Sequence, residues 1–546
     1  MFASRRDRRF PNINHFFAAM TLCSLLACGG SGSGPDFSTQ ALGGGFAPGE
    51  VRPINFDGSN QARIEFSELS GSEKFAVVFF GSNAEGGSFD FRLSGLDDPA
   101  QAKFLQAPTL PNPAADEEVS ADTDGTSLLH ERLRAAEQEL EGLEPYSPEN
   151  AGAGPVTKDF AASHTACGGG RGIYFNVLSS LSNNNLYETV CGVEVRRSGG
   201  VIYYIDEAVL NDLSANDLGG ILNEFEAKIP HERALFGSES DVDQSGSFSV
   251  LFSPAVNRLG KSGGGFITGY FYGGDLYPRS TVQTSNEQEV LFLCVPDPSG
   301  RWNINLNKDF WSSNIAPSVL PHEYQHMISF NQHVLLRNDG AEEAWANEAI
   351  SHFIEDLAPN GSLDHTGVEN PSRVALYLVA PEAAAFTTGI SIAQRGGSYL
   401  FFRYLYEQAE LRRYPGAANG PELLRKLLQS GTKGVPNIEQ ATGWSFRNLL
   451  LDFFATVQLS NQGISSDPRY NLKGISLQGP QDDNRGTNLQ GVQAHNLGDL
   501  PFTGQVAVPG AYFLEITGKK LMDAGQGLSF SAPAGMMAGG IVIRIQ

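Results

Sequence analysis

Short apolar runs alternating with polar residues dominate the first hundred positions. Val51-Arg-Pro-Ile-Asn-Phe56, Ala62-Arg-Ile-Glu-Phe66, Phe75-Ala-Val-Val-Phe-Phe80 and Phe89-Asp-Phe-Arg-Leu93 are the clearest of them. Gly, Ser and Asn clusters separate them at roughly 10–13-residue intervals, which predicts short strands joined by turns. Residues 36–106 are therefore expected to form a β-sandwich-like module. A stretch rich in Pro, Ala, Asp and Glu follows over residues 107–126 and reads as linker. Leu129, Leu133, Ala136, Leu140 and Leu143 then recur at helical intervals. Such a stripe marks an amphipathic helix that must bury one face against another surface. Residues 107–155 are thus read as an acidic linker carrying one helix.

Over residues 156–475 the pattern changes from strands to helices. Gly172-Ile-Tyr-Phe-Asn-Val177, Val201-Ile-Tyr-Tyr-Ile205, Ser247-Phe-Ser-Val-Leu-Phe252 and Val290-Leu-Phe-Leu-Cys-Val295 read as buried strands. Residues 398–410, 421–429 and 445–459 read as helices. Strands followed by a run of helices predict an α+β domain, strand-rich in its first half and helical in its second. Residues 476–546 are Gly-rich and end in Gly510-Ala-Tyr-Phe-Leu-Glu-Ile516 and Gly540-Ile-Val-Ile-Arg-Ile545, a second small β module. No internal repeat of fixed period is present.

Composition narrows the class. Apolar residues make up 41% of 546 positions and charged residues 18%, ample for a core. Gly and Pro number 62 and 29, below the ~25–30% share that marks wholesale disorder. Lys and Arg total 38 against 61 Asp and Glu, a net charge of −23. Nucleic acid is excluded as a partner by that balance, because its binding rests on cationic contacts to phosphate. The acidity reads instead as solubility outside the cell.

The N-terminus is the exception to the acidity. Arg5, Arg6, Arg8 and Arg9 precede an uncharged apolar stretch over residues 16–27. That stretch is too short for a ~30 Å hydrocarbon core but fits a signal-peptide core. It ends Leu25-Leu26-Ala27-Cys28, followed by six Gly and Ser residues. This resembles the lipobox of bacterial lipoproteins. The resemblance implies a signal peptide over 1–27, a lipid anchor on Cys28 and a flexible tether over 28–35. The competing reading is an ordinary secretory signal with an incidental cysteine. The chain is therefore expected at the outer membrane or cell surface as a lipoprotein, or secreted, and as a monomer. Of five cysteines, Cys167, Cys191 and Cys294 remain beyond the signal and the anchor. In an oxidising compartment the expected arrangement is a Cys167–Cys191 disulfide and a buried Cys294 thiol. No Cys-x-x-Cys occurs, so a thiolate zinc site of the usual spacing is not indicated.

The chemistry centres on Leu320-Pro-His-Glu-Tyr-Gln-His-Met-Ile-Ser-Phe330. On a helix, His322 and His326 share a face and can bind one zinc ion. Glu323 lies beside that face, where it can take a proton from the attacking water. Pro321 is expected in the first turn, because deeper in the helix it would cost about 3 kcal/mol. A metzincin would carry histidine at the position of Gln332. His333 is one residue off that spacing, so that class is rejected.

Further on stands Trp345-Ala-Asn-Glu-Ala-Ile-Ser-His-Phe-Ile-Glu-Asp356. Glu348 would complete a His₂Glu site with one open position, the arrangement of catalytic zinc. Glu342 and Glu343 are the competing third ligands. His352 and Glu355 fall on the same helical face as Glu348, where either can orient a ligand imidazole. Together these two segments resemble the gluzincin metallopeptidases, and most of all the hyicolysin family of secreted bacterial neutral proteases. The resemblance covers residues 156–475 and implies a thermolysin-like domain acting on polypeptides. It implies one catalytic Zn²⁺ on His322, His326 and Glu348, with Glu323 as general base and then general acid. Pro321, where a small residue is usual, and Ala349, where Gly is usual, depart from the pattern.

Other candidates are less specific. Asp241-Val-Asp-Gln-Ser-Gly246 resembles the start of a Ca²⁺ loop, through Asp241 and Asp243, but Phe252 stands where the bidentate glutamate belongs. A plain turn is the competing reading. Tyr399 and His352 are candidate donors to a tetrahedral oxyanion. Two rivals to an endopeptidase stay open. One is a gluzincin aminopeptidase, although the Gly-rich run Ser262-Gly-Gly-Gly-Phe266 lacks the glutamate that would bind a substrate amine. The other is a surface adhesin or binding lipoprotein with a non-catalytic zinc site.

Overall fold

The computed structural model describes residues 39–42, 46–96, 125–149, 166–262, 265–481 and 486–546. The stretches read from the sequence as signal peptide and tether, Cys28, and most of the stretch read as linker lie outside the described residues. Strands β1 (Thr39–Leu42), β2 (Val51–Pro53), β3 (Gln61–Phe66), β4 (Lys74–Gly81) and β5 (Ser88–Gly95) come first, followed by helix α1 (Gly125–Gln138).

A seven-stranded mixed sheet forms next, from β6 (Ala166–Cys167), β7 (Gly172–Leu178), β8 (Tyr187–Ser198), β9 (Val201–Asp206), β10 (Phe248–Phe252), β11 (Gly269–Phe271) and β12 (Val290–Leu293). Its order is β11-β12-β10-β9-β8-β7-β6. Strands β9, β10 and β12 run parallel, and every residue of all three is buried. That is why they read as continuous apolar runs without alternation. The crossover from β9 to β10 is made by α2 (Ala215–Phe236), whose first turn is closed by a capping box between Ser214 and Asp217. Cys167 and Cys191 are joined in a disulfide that ties β6 to β8, and Cys294 is a buried thiol.

The helical half contains α3 (Ala316–Phe330), α4 (Ala344–Ile354), α5 (Asn370–Val379), α6 (Ile392–Glu410), α7 (Gly420–Leu428), α8 (Gly434–Thr442) and α9 (Phe446–Leu459). Helix α3 is anchored by Tyr324, whose ring packs on Phe225 and Phe248 while its hydroxyl donates to Glu239 at 2.6 Å. The helix also lies close on the edge strand. A Cβ at Gly269 would stand 2.5 Å from Val319 Cγ1 and 2.8 Å from the Phe292 carbonyl oxygen. Only glycine lets α3 approach β11 this closely. Pro321 is not in the first turn as expected. A π turn over Trp311–Ile315 runs straight into Ala316, which puts the proline well inside the helix. Its missing N–H deprives the Pro317 carbonyl of an intrahelical partner. Burial of nearly all of α3 outweighs that loss.

The last strands are β13 (Gln478–Pro480), β14 (Asn488–Gln490), β15 (His495–Asn496), β16 (Phe502–Ala507), β17 (Ala511–Thr517), β18 (Gly527–Ser531) and β19 (Ala538–Arg544). Two separate β modules were expected from the sequence, but the two ends of the chain build one sandwich. One sheet is ordered β1-β3-β18-β5-β16 and the other β15-β17-β4-β19-β2. Strand β4 lies between β17 and β19, and β18 lies between β3 and β5. Propensity identifies strands, whereas pairing partners are set by packing over long sequence separations.

The apolar run in β4 follows from this position. Phe75, Val77 and Phe79 face the sandwich core, while Ala76, Val78 and Phe80 join the main core. There Phe80 meets Phe454 of α9 at 5.0 Å between ring centroids. No helix among the described residues is long and apolar enough to cross a membrane.

Candidate metal centre and cleft

Helices α3 and α4 place three donor side chains around one point. His322 Nε2 and His326 Nε2 stand 3.2 Å apart. Glu348 Oε2 is 3.7 Å from His322 Nε2, and Glu348 Oε1 is 3.4 Å from His326 Nε2. A tetrahedral ion with bonds of about 2.0–2.1 Å requires ligand separations of roughly 3.3–3.4 Å, so this triangle fits zinc. Glu348 Oε2 is buried without a hydrogen-bond partner, as expected of an atom whose partner is a cation. The competing carboxylates point elsewhere. Glu342 accepts from the Gly434 N–H at 2.7 Å, and Glu343 accepts from Trp345 Nε1 at 2.7 Å.

Each of the two imidazoles is held from behind. His322 Nδ1 lies 3.0 Å from Glu355 Oε1, and His326 Nδ1 lies 3.0 Å from Asn347 Oδ1. Those acceptors place the proton on Nδ1 and turn each Nε2 lone pair to the metal position. Glu355 also receives Arg373 at 2.9 Å and His352 Nδ1 at 2.7 Å. Burial works against its charge, but Arg373 and the imidazoles outweigh burial and hold Glu355 well below the usual carboxylate range. His352 is pushed well down by burial and by Arg373, so it is neutral. Its proton is committed to Glu355, which leaves Nε2 as an acceptor, unsuited to donating to an oxyanion. At His322 burial is outweighed by hydrogen bonds to Glu348 and Glu355, which lift it to about 9. An incoming metal must displace that proton.

Glu323 Oε2 accepts the Phe271 N–H of β11 at 2.9 Å, which fixes the carboxylate beside the histidines. His322 and Glu323 open on a cleft of about 630 Å³ whose wall also includes His130, His352, Arg373 and Arg395. Ile304, Phe310, Leu376 and Ile392 also line it, and each keeps at least a third of its surface exposed. Arg395 Nη1 lies 3.5 Å from Glu348 Oε2, while its Nη2 is buried without a hydrogen-bond partner. No spacing rule pointed to Arg395, Arg373 or Asn347, because their roles follow from how α4, α5 and α6 pack.

Tyr399 does not reach the cleft. Its hydroxyl donates to Asp356 Oδ2 at 2.7 Å, beside Arg403 at 3.0 Å from the same oxygen. The sequence-based expectation of an oxyanion donor is therefore corrected to a structural bond. Tyr399→Phe is expected to lower unfolding stability by about 1 kcal/mol, read by urea unfolding. Unchanged stability would mean that the hydroxyl's bond to Asp356 contributes nothing to the fold. At the other candidate site, Asp241 Oδ1 accepts the Gly246 N–H at 2.9 Å and Asp243 Oδ1 accepts the Ser245 N–H at 3.0 Å. These are the bonds of a tight Asx-type turn, with the buried Glu289 close by.

A residue absent from the sequence-based site completes the picture. His130 of α1 places its Nδ1 3.0 Å from Glu348 Oε1. One donor atom from each of His130, His322, His326 and Glu348 falls within 4.8 Å of all the others. The leucine stripe announced the helix, but nothing in the spacing announced the metal site, since His130 and Glu348 are 218 residues apart.

Comparison with known proteins supplies one independent line. Over 248 residues the chain is 29% identical to the neutral metalloprotease ShpI of Staphylococcus hyicus, a match covering 44% of this chain and 50% of that protein. The chain thus spans about half the length of the curated relative it matches. No protein-family model matches.

Proposed function

We propose that this chain is an exported zinc-dependent endopeptidase of the gluzincin type. The observation that carries the reading is the triangle of His322, His326 and Glu348 donor atoms, sized for zinc, with Glu323 held beside it at the floor of an open cleft. The metalloprotease similarity supports it independently.

Zinc, when bound, supplies Lewis acidity that polarises the scissile carbonyl and makes water nucleophilic near neutral pH. The chain's own residues do the rest. Glu323 accepts the proton of the attacking water and then delivers it to the leaving amine. Its Phe271 N–H bond keeps one oxygen pinned and the other free to face the substrate. Arg395, a buried cation in the wall, replaces Tyr399 as the group facing the negative charge that develops on the carbonyl oxygen. The apolar cleft wall favours substrates with large apolar side chains near the scissile bond. The lipobox-like Cys28 supports attachment to a membrane surface by acylation.

The deciding measurement is metal content and cleavage together. The full chain is expected to hold one zinc, and 1,10-phenanthroline is expected to remove both the zinc and casein cleavage, with zinc restoring both. Aminoacyl-nitroanilides are expected to be poor substrates. Hydrolysis of nitroanilides but not casein would favour an aminopeptidase, and zinc retention with neither activity would favour a binding protein.

A further inference from the structure

Helix α1 is buried on more than its leucine stripe. Leu129 and Leu133 join the main core, yet His130, Arg134 and Glu137 on the adjoining face are 3%, 1% and 1% exposed. Positions i, i+4 and i+7 share one side of a helix, and all three of these side chains reach the candidate site. His130 meets Glu348. Arg134 Nη2 donates to the Phe271 carbonyl oxygen at 2.9 Å, and Glu137 accepts the Gly273 N–H at 2.9 Å. Phe271 lies on β11, the edge strand of the large sheet. An edge strand offers unpaired N–H and C=O groups to an extended peptide. Here both main-chain groups of Phe271 are taken, one by Arg134 and the other by Glu323.

Burying three polar side chains on one helix is expensive unless each finds its partner. On α1 His130 finds its partner in Glu348, while Arg134 and Glu137 pair with each other at 3.2 Å and with the main chain of Phe271 and Gly273. His130 meets Glu348 Oε1, whereas Arg395 approaches the other oxygen, Oε2, and His130 lines the cleft beside His322 and Glu323. A His₂Glu zinc site leaves one coordination position open for water or substrate.

We propose that α1 is an internal inhibitor: His130 takes the open coordination position of the metal while Arg134 and Glu137 cap the β11 segment, so the intact chain is held latent until α1 leaves. The proposal rests on the zinc-peptidase reading. In it, His130 and an incoming carbonyl compete for one position, and the helix and an extended substrate compete for one strand edge. Displacing α1 frees the position held by His130 and the Phe271 carbonyl oxygen held by Arg134 together.

The test uses the full-length, zinc-loaded chain and counts histidines on the metal by X-ray absorption. Three imidazoles are expected in the wild type and two in His130→Ala. Casein cleavage is expected to rise by about tenfold or more in His130→Ala, as when the competent fraction climbs from about a tenth to nearly all. His130→Gln, which keeps a polar side chain of similar length, is expected to behave alike and serves if the alanine variant misfolds. Two imidazoles in the wild type, with cleavage unchanged or lowered in both variants, would overturn the latch and assign His130 to orienting Glu348. That result leaves the peptidase reading standing. A wild-type chain that binds no zinc and cleaves nothing, with variants that do the same, overturns the peptidase reading and the latch with it.

Discussion

Glu323→Gln is expected to abolish casein cleavage almost completely, by about 10²–10⁴-fold, the range contributed by a positioned acid–base group. The effect should fall on turnover and leave zinc content unchanged, because Glu323 is not among the donors that surround the metal position. Glutamine keeps an oxygen to accept the Phe271 N–H, so the local fold is preserved. What it cannot do is take a proton at neutral pH. Zinc analysis and steady-state kinetics on the same preparation separate the two consequences. A variant that retains zinc and cleaves casein at the wild-type rate removes Glu323 from the mechanism.

The reasons this residue could be picked out in advance are specific. His322, Glu323 and His326 are close in sequence, and a helix converts their spacing directly into a shared face. Glu348 required one further step, a second helix presenting a carboxylate, and its neighbour Asn347 turns out to hold His326 in place. Beyond that the sequence was silent, for physical reasons. His130 reaches Glu348 only because α1 docks over β11, a contact between segments 218 residues apart. Leucines at helical intervals announced that α1 needs a partner surface, but polar residues on the adjoining face read as solvated until the packing is seen. Tyr399 was misplaced for the opposite reason. It lies in an aromatic helix next to the site, and only the hydrogen bond to Asp356 reveals which way it faces.

Arg403→Met is expected to destabilise the chain by about 3–5 kcal/mol, the effect of stranding a buried charge by removing its partner. Arg403 is fully enclosed between α4 and α6. It bridges Asp356 at 3.0 Å and Glu407 at 2.8 Å, and also reaches the Leu363 carbonyl. Burial raises Asp356 to about 6 even with Arg403 beside it. A carboxyl whose folded value lies above its unfolded value of 3.8 binds more protons in the folded state, so stability falls as pH rises through that interval. Without Arg403 the shift grows, and the deficit of Arg403→Met should be larger at pH 8 than at pH 5. Urea unfolding at the two pH values tests this. Equal deficits at both would mean that the lost packing of the long side chain, not the stranded carboxylate, sets the loss. Asp356→Asn in the Arg403→Met background is expected to recover part of the stability, since the two sites share one interaction. The metal site is affected indirectly, because Asp356 directly follows Glu355, which orients His322.

The sandwich has a consequence for the order in which this protein is completed. Its sheets interleave strands from both chain ends, and the Asn60 side chain donates to the Pro533 carbonyl 473 residues away. In effect the body that carries the candidate metal centre is an insertion within the β domain rather than its neighbour. During synthesis the early strands must wait, with exposed sheet edges, until the last strands emerge. Trimming the chain up to α1 would also pull five strands out of two sheets. Release of α1 by trimming from the N-terminus is therefore closed to this architecture. Any release of α1 has to leave the strands before it in place, so a nicked chain, not a truncated one, is the form in which full activity should be sought.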